Sequence, residues 1–123
     1  MIRFLTVDDL LDVVDRLHGG QRQIRDLGLL ASAAARPQTT VFGADAYPEF
    51  EDKAAALLHS IARNHPLVDG NKRLAWVAVR LFFLANGRVL DAPEDDAFDL
   101  VMAVAAGRLD VPDIAAALQR WGS

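Results

Sequence analysis

Apolar residues recur along most of this chain at intervals of three and four, the spacing that lines one face of an α-helix. The first series is Leu10, Leu11, Val14 and Leu17, preceded by Thr6 and Asp9 at capping-box spacing and stopped by Gly19 and Gly20. A second runs through Leu27, Leu30, Ala31 and Ala34, with Asp26 placed to cap it and Arg36-Pro37 to end it. A third passes through Leu57, Leu58 and Ile61, with Pro48 suited to its first turn and Pro66 beyond its end. The fourth is the most apolar. Between Gly70 or Asn71 and the stop at Asn86-Gly87, Leu74, Val77, Ala78, Leu81, Phe82 and Ala85 form one face. Trp76, Val79 and Phe83 cover much of the other, and a helix apolar nearly all round belongs at the centre of a bundle. Phe98, Leu100, Val101 and Val104 make a fifth series, from a capping signature around Pro93 to Gly107. Ile114, Ala117, Leu118 and Trp121 make a sixth, opened by Asp110 and Asp113.

Residues 37–48, PQTTVFGADAYP, break this rhythm and read as a loop or short extended flap with Val41 and Phe42 at an apolar tip. The pattern therefore predicts an all-α fold: one compact domain over residues 1–123, a bundle of about six helices around the fourth, with a short flap loop. A length of 123 residues suits one domain, and 52% apolar with 24% charged residues is a globular composition. The absence of cysteine excludes disulfides, thiolate catalysis and Cys-type zinc sites, and fits a reducing cytoplasm. No apolar run reaches the ~18 residues of a membrane span, and the early apolar series is flanked by Asp8, Asp9 and Asp12 rather than by a basic leader. A cytoplasmic protein without a membrane partner is expected. A net charge of −4 argues against direct nucleic-acid binding. The basic residues are nevertheless uneven, with Arg63, Lys72, Arg73, Arg80 and Arg88 in or around one stretch while acids crowd residues 91–99.

That stretch is HPLVDGNKR, residues 65–73, at the junction of the third and fourth helices. A helix start offers unpaired N–H groups and a positive dipole end, which favour an anion. Gly70 permits close backbone approach, Asn71 can brace the loop, and Lys72 and Arg73 add charge, Arg73 with a fork for two phosphate oxygens. Asp69 would repel such an anion unless a cation lay between them, and Mg²⁺ takes one or two carboxylates plus phosphate oxygens. His65 can accept a proton from an attacking hydroxyl near neutral pH. Positioning and charge stabilisation are most of what phosphoryl transfer requires.

The stretch resembles the signature of the Fic/Doc superfamily, H-x-F-x-[DE]-[AG]-N-[GK]-R, and is most similar to the death-on-curing (Doc) branch of toxins. RDLGLLASAAARPQ, YPEFEDKAAALLHSIARNH and the run to LFFLANG also look Doc-like, so the resemblance covers most of the chain. It implies a compact helical fold with the motif at the start of its central helix. His65 would be the general base and Asp69 the Mg²⁺ ligand. Gly70, Asn71, Lys72 and Arg73 would cradle the phosphates of ATP, with Arg63 able to reach one. Thr39, Thr40, Val41 and Phe42 would belong to the flap that aligns the target chain. Leu67 replaces the family's Phe, Lys72 stands where AMP-transferring relatives have Gly, and Trp76 stands where they have a second Arg. Both of the latter differences point to the Doc pattern. The resemblance then implies a protein kinase that phosphorylates a translation factor, with elongation factor Tu as the candidate. It also implies a small antitoxin, partly disordered and folding as it binds.

Simpler readings exist for the same residues. His65 alone could be a helix cap, Asp69 and Arg73 a surface ion pair worth ~0–1 kcal/mol, and Lys72 a solvated side chain. His59 has no H-E-x-x-H context, so a catalytic zinc site is not expected, and His18-Gly19-Gly20 reads as a helix stop. Arg22 and Arg25 are expected at the surface, and Trp76, Phe82 and Phe83 in the core. Three function classes follow: a phosphotransferase (or its AMP-transferring variant), a phosphate-binding module without turnover, and a protein whose main work is pairing with an antitoxin. The intact His65, Asp69, Asn71 and Arg73 favour the first over the second.

Overall fold

The computed structural model describes residues 1–20 and 23–123, so Arg22 lies outside the described residues. Six α-helices follow in order: α1 (Val7–Leu17), α2 (Leu27–Ala35), α3 (Phe50–Asn64), α4 (Asn71–Ala85), α5 (Glu94–Ala105) and α6 (Val111–Trp121). A 3₁₀ turn over Arg36–Gln38 follows α2, and one hairpin pairs β1 (Thr40–Val41) with β2 (Ala44–Asp45). The expected all-α bundle with a short flap is the fold observed.

Helix starts follow local side-chain chemistry. Thr6 and Asp9 close a reciprocal capping box on α1, as Asp110 and Asp113 do on α6. The Leu29 N–H donates to Asp26 Oδ1 at 3.1 Å to cap α2. Pro48 is not in the first turn of α3. Glu49 is the N-cap there, in capping-box register with Asp52, whose Oδ2 accepts from the Glu49 N–H at 3.3 Å, a bond for which a proline has no donor. On α5 Pro93 takes the N-cap position without a side-chain bond, and Glu94, Asp95 and Asp96 set negative charge against the positive end of the helix.

The centre of the bundle is α3, not α4. It meets α2, α4, α5 and α6, and it buries residues on every side, including Ala54, Ala55, Ala56, Leu57, Leu58, Ile61 and Ala62. Its alanines let several neighbours approach closely, a role that counting large apolar residues overlooks. α4 buries Leu74, Ala75, Ala78, Val79, Phe82 and Phe83, leaves Trp76, Val77 and Leu81 half-buried, and exposes Arg80 and Leu84. α2 likewise turns Leu30, Ala33 and Ala34 inward while Leu27 and Ala31 face solvent. Phe50 joins α3 to α4 by stacking on Phe82 at 4.7 Å and meeting Phe83 edge-on at 4.9 Å. Trp76 meets Trp121 of α6 edge-on at 6.3 Å. Among the described residues, no helix is long and apolar enough to cross a membrane.

Candidate active site

α3 ends at His65, whose backbone is left-handed at φ 51°. That conformation is costly for a residue with a Cβ and persists only where the surroundings hold it. Here the backbone is clamped. Arg25 donates from Nε to the His65 carbonyl at 2.7 Å and from Nη2 to the Asn64 carbonyl at 2.8 Å. The Pro66 carbonyl accepts from the N–H groups of Arg25 and Asp26, and the Val68 N–H reaches the Gln23 carbonyl at 2.8 Å. Arg25 is at the surface as expected, yet its guanidinium fixes the loop.

Asn71 secures the loop from inside. Its buried side chain accepts from the Leu67 N–H at 2.8 Å and donates to the Leu67 carbonyl at 3.0 Å. Leu67 itself is buried and anchors the loop in the core. The amide of Asn71 is thus held against the loop, and its backbone N–H points out of the helix start.

The first bond of α4 runs from the Leu74 N–H to the Gly70 carbonyl at 2.9 Å, and no side chain caps the helix. The N–H groups of Asn71, Lys72 and Arg73 therefore have no acceptor within the helix. Gly70 sits at φ 87°, and a Cβ there would meet Cε1 and Nε2 of His18, each at 3.1 Å. The positive φ favours glycine, and a Cβ there would press on the His18 ring. His18 does stop α1, but its ring also packs on Gly70, and its buried Nε2 has no hydrogen-bond partner among the described residues. No sequence spacing could have signalled a contact between positions 18 and 70.

His65, Asp69, Lys72 and Arg73 are all exposed around this helix start. Among the described residues none of them forms an ion pair; the pairs present are Lys53–Asp45 and Arg88–Glu51. The surface pairing of Asp69 with Arg73 is thus not formed, and the charges are free to meet a ligand. Lys72, Arg73, Trp76 and Arg80 form one wall of a groove of about 730 Å³ whose other wall includes Asp91, Glu94, Phe98 and Met102. His65 and Asp69 stand outside its lining. Arg63 turns towards the end of α5, where Nη1 donates to the Ala105 carbonyl at 3.0 Å. Arg88 lies at the opposite end of α4 and is not part of a basic cluster with Lys72 and Arg73.

No group of three or more His, Asp or Glu among the described residues could enclose a metal ion. A lone carboxylate such as Asp69 suits Mg²⁺ when further ligands arrive with phosphates and water, so the donor set fits a nucleotide-borne cation rather than a resident one.

The flap is a hairpin with Thr40 opposite Asp45 and Val41 opposite Ala44. Its two-residue turn places Phe42 at φ 52° and Gly43 at φ 82°, the positive values that tight hairpins use. Phe42 is fully exposed. Sequence patterning did not reveal the flap's anchors. Lys53, only 4% exposed, bonds to the Tyr47 carbonyl, to the Pro48 carbonyl at 3.2 Å and to Asp45 at 3.4 Å. Arg36 donates from Nε to the Tyr47 hydroxyl at 2.9 Å, and its Nη1 lies 2.8 Å from His59 Nδ1. A guanidinium can only donate, so His59 accepts there as a neutral imidazole. Burial, then the Arg36 charge, hold the His59 pKa below the usual histidine value. Tyr47 is accordingly fastened through its hydroxyl.

A sequence profile described as the Fic/DOC family matches residues 4–83, and the chain belongs to that family. A curated relative, Toxin Doc of Mycolicibacterium smegmatis (strain ATCC 700084 / mc(2)155), is 51% identical over 120 residues, covering 96% of this chain and 92% of the relative.

Proposed function

We propose that this protein is the toxin of a toxin–antitoxin pair and transfers phosphate from ATP to a hydroxyl of a translation factor. The observation that carries the proposal is the start of α4: three N–H groups without helical acceptors, with exposed and unpaired Asp69, Lys72 and Arg73, and with exposed His65 at the other end of the loop that leads into it. When bound, ATP supplies the phosphoryl group and Mg²⁺ offsets charge on its oxygens. Asp69 holds the cation. The backbone N–H groups of Asn71, Lys72 and Arg73, with the Lys72 and Arg73 side chains, hold and neutralise phosphate oxygens. His65 takes the proton of the target hydroxyl as that oxygen bonds to phosphorus and the bond to the ADP oxygen breaks. The clamped backbone keeps the imidazole placed for this.

The flap, with Val41 and Phe42 exposed at its tip, aligns the target chain and is also where an antitoxin segment folds as it binds. The similarity to a protein named as a toxin supports the antitoxin partner and a cytoplasmic site of action. Lys72 and Trp76, in place of the residues that accompany AMP transfer, support movement of the γ-phosphate. The test is to incubate a bacterial lysate with the protein, Mg²⁺ and ATP labelled separately at the α and γ positions, then identify the labelled protein by mass spectrometry. The γ label should move to one translation factor. Movement of the α label would instead establish AMP transfer, and no labelled protein would remove the transferase reading.

A further inference from the structure

Arg36 is half-buried, yet every partner it has is uncharged. Besides the Tyr47 hydroxyl and His59, its Nη1 meets Ser60 Oγ at 3.0 Å and the Ala56 carbonyl at 3.4 Å. Its Nη2 donates to nothing among the described residues, and no carboxylate lies within ion-pair distance. The other cations that fasten this region differ, since Lys53 has Asp45 and Arg88 has Glu51. Removing a guanidinium from water without an anion is costly, and a carboxylate that arrives from outside offsets that cost.

The surroundings suit such an anion. A groove of about 300 Å³ is lined by Arg36 with Ser32, Thr39, Ser60 and Asn64, and it contains no acid. The Ser32 and Ser60 hydroxyls and the Asn64 amide can donate to oxygen, whereas the Thr39 hydroxyl already donates to the Arg36 carbonyl at 2.7 Å. Its position is informative. Thr39 closes the base of the flap hairpin, its carbonyl accepting the Ala46 N–H at 2.9 Å, and Asn64 directly precedes His65. The groove therefore lies between the flap and the end of α3, on the path of a chain aligned by one and presented to the other.

We propose that this groove receives an acidic side chain, Asp or Glu, of the protein being modified, and holds it on Arg36 while a nearby hydroxyl of the same chain faces His65. This rests on the transfer reading above and adds to it a specificity-determining contact. The carboxylate takes its charge-assisted bond from Nη2 and further bonds from the polar side chains of the groove. Arg36 itself is unsuited to a first test, because its loss would also release Tyr47 and the flap.

Ser32, exposed on α2, is the informative position. Ser32→Asp places a carboxylate at the groove and should raise the KM for the labelled acceptor about tenfold or more through like-charge repulsion. Ser32→Asn, which alters the same position without adding charge, should raise it far less than Ser32→Asp, and both variants should keep the wild-type KM for ATP and the wild-type melting temperature. In the acceptor, replacing the acid nearest the modified hydroxyl by its amide should raise the KM similarly. A modified site with no Asp or Glu within a few residues, or an unchanged acceptor KM in Ser32→Asp, would overturn the proposal while leaving transfer intact. A raised KM for ATP instead would reassign the groove to the nucleotide. If wild type labels no protein at all, the transfer reading falls and this site with it.

Discussion

The two ends of α4 carry arginines in opposite circumstances. At the C-terminal end Arg88 is engaged: Nη2 meets Glu51 at 2.8 Å, Nε donates to the Ser123 carbonyl at 2.9 Å, and the guanidinium lies 4.6 Å from the Phe50 ring centre and 5.2 Å from that of Phe83. At the N-terminal end Arg73 is exposed and unpaired among the described residues, although Asp69 is close in sequence. The same residue type serves structure where its charge is paired and is available to a ligand where it is not. Composition groups the two in one basic stretch. From Arg73 to its end at Ala85, α4 rises roughly 18 Å, and Arg88 lies beyond that end.

The sharpest way to break this comparison is to remove the base. His65→Ala should lower the rate of label transfer by about 10²–10⁴-fold, the usual worth of a positioned general base. Its melting temperature should stay near that of wild type, because the histidine side chain is exposed and makes no hydrogen bond among the described residues. A folded variant with full activity would end the mechanism.

Asn71→Ala attacks the scaffold of the same end. It leaves the N–H and carbonyl of buried Leu67 without partners, which should cost about 2–4 kcal/mol in urea unfolding, with slower transfer as the loop loosens. A loss below about 0.5 kcal/mol would show that the amide is not what holds the loop. Asp69→Asn tests charge without touching the fold. The Mg²⁺ concentration for half-maximal transfer should rise about tenfold, because a neutral oxygen replaces an anionic ligand. An unchanged metal requirement would remove Asp69 from that role.

The smallest effect concerns the flap anchor. The folded-state pKa of His59 lies below its unfolded value, so between the two the unfolded chain binds more protons. Stability is therefore held above the ordinary histidine range and falls as pH drops through it. Differential scanning calorimetry from about pH 7.5 to about pH 5.5 should show a larger drop in melting temperature for wild type than for His59→Gln, which keeps an acceptor for Arg36 but does not titrate. Equal drops would dissociate His59 from the pH response.

What the sequence made legible was local. Capping pairs such as Thr6–Asp9, the stop at Asn86-Gly87 and the run HPLVDGNKR all place their information within a few residues, and the helices and the loop follow from it. Two kinds of feature escaped. Burial of small residues did, so the alanine-rich α3 was passed over as the centre in favour of the more apolar α4. Contacts between distant positions did too: His18 on Gly70, Arg25 on His65, and Arg36 between Tyr47 and His59 join residues whose types alone give no hint of one another. The charges of Lys72 and Arg73 were visible in sequence, whereas their freedom from ion-pair partners, and the pairing of Arg88 with Glu51, required the fold.

That contrast leads to the most direct measurement, single-turnover transfer of the γ label by Arg73→Ala and Arg88→Ala, each well below its melting temperature. Arg73→Ala should melt like wild type and lose about 10²–10³-fold in rate, the scale of one stabilising donor in a transition state. Arg88→Ala should melt lower, having lost the Glu51 pair and its stacking on Phe50, and should keep its rate within about threefold. If instead Arg73→Ala transfers the label at the wild-type rate while Arg88→Ala does not, the N-terminal end of α4 is not the working end of this protein.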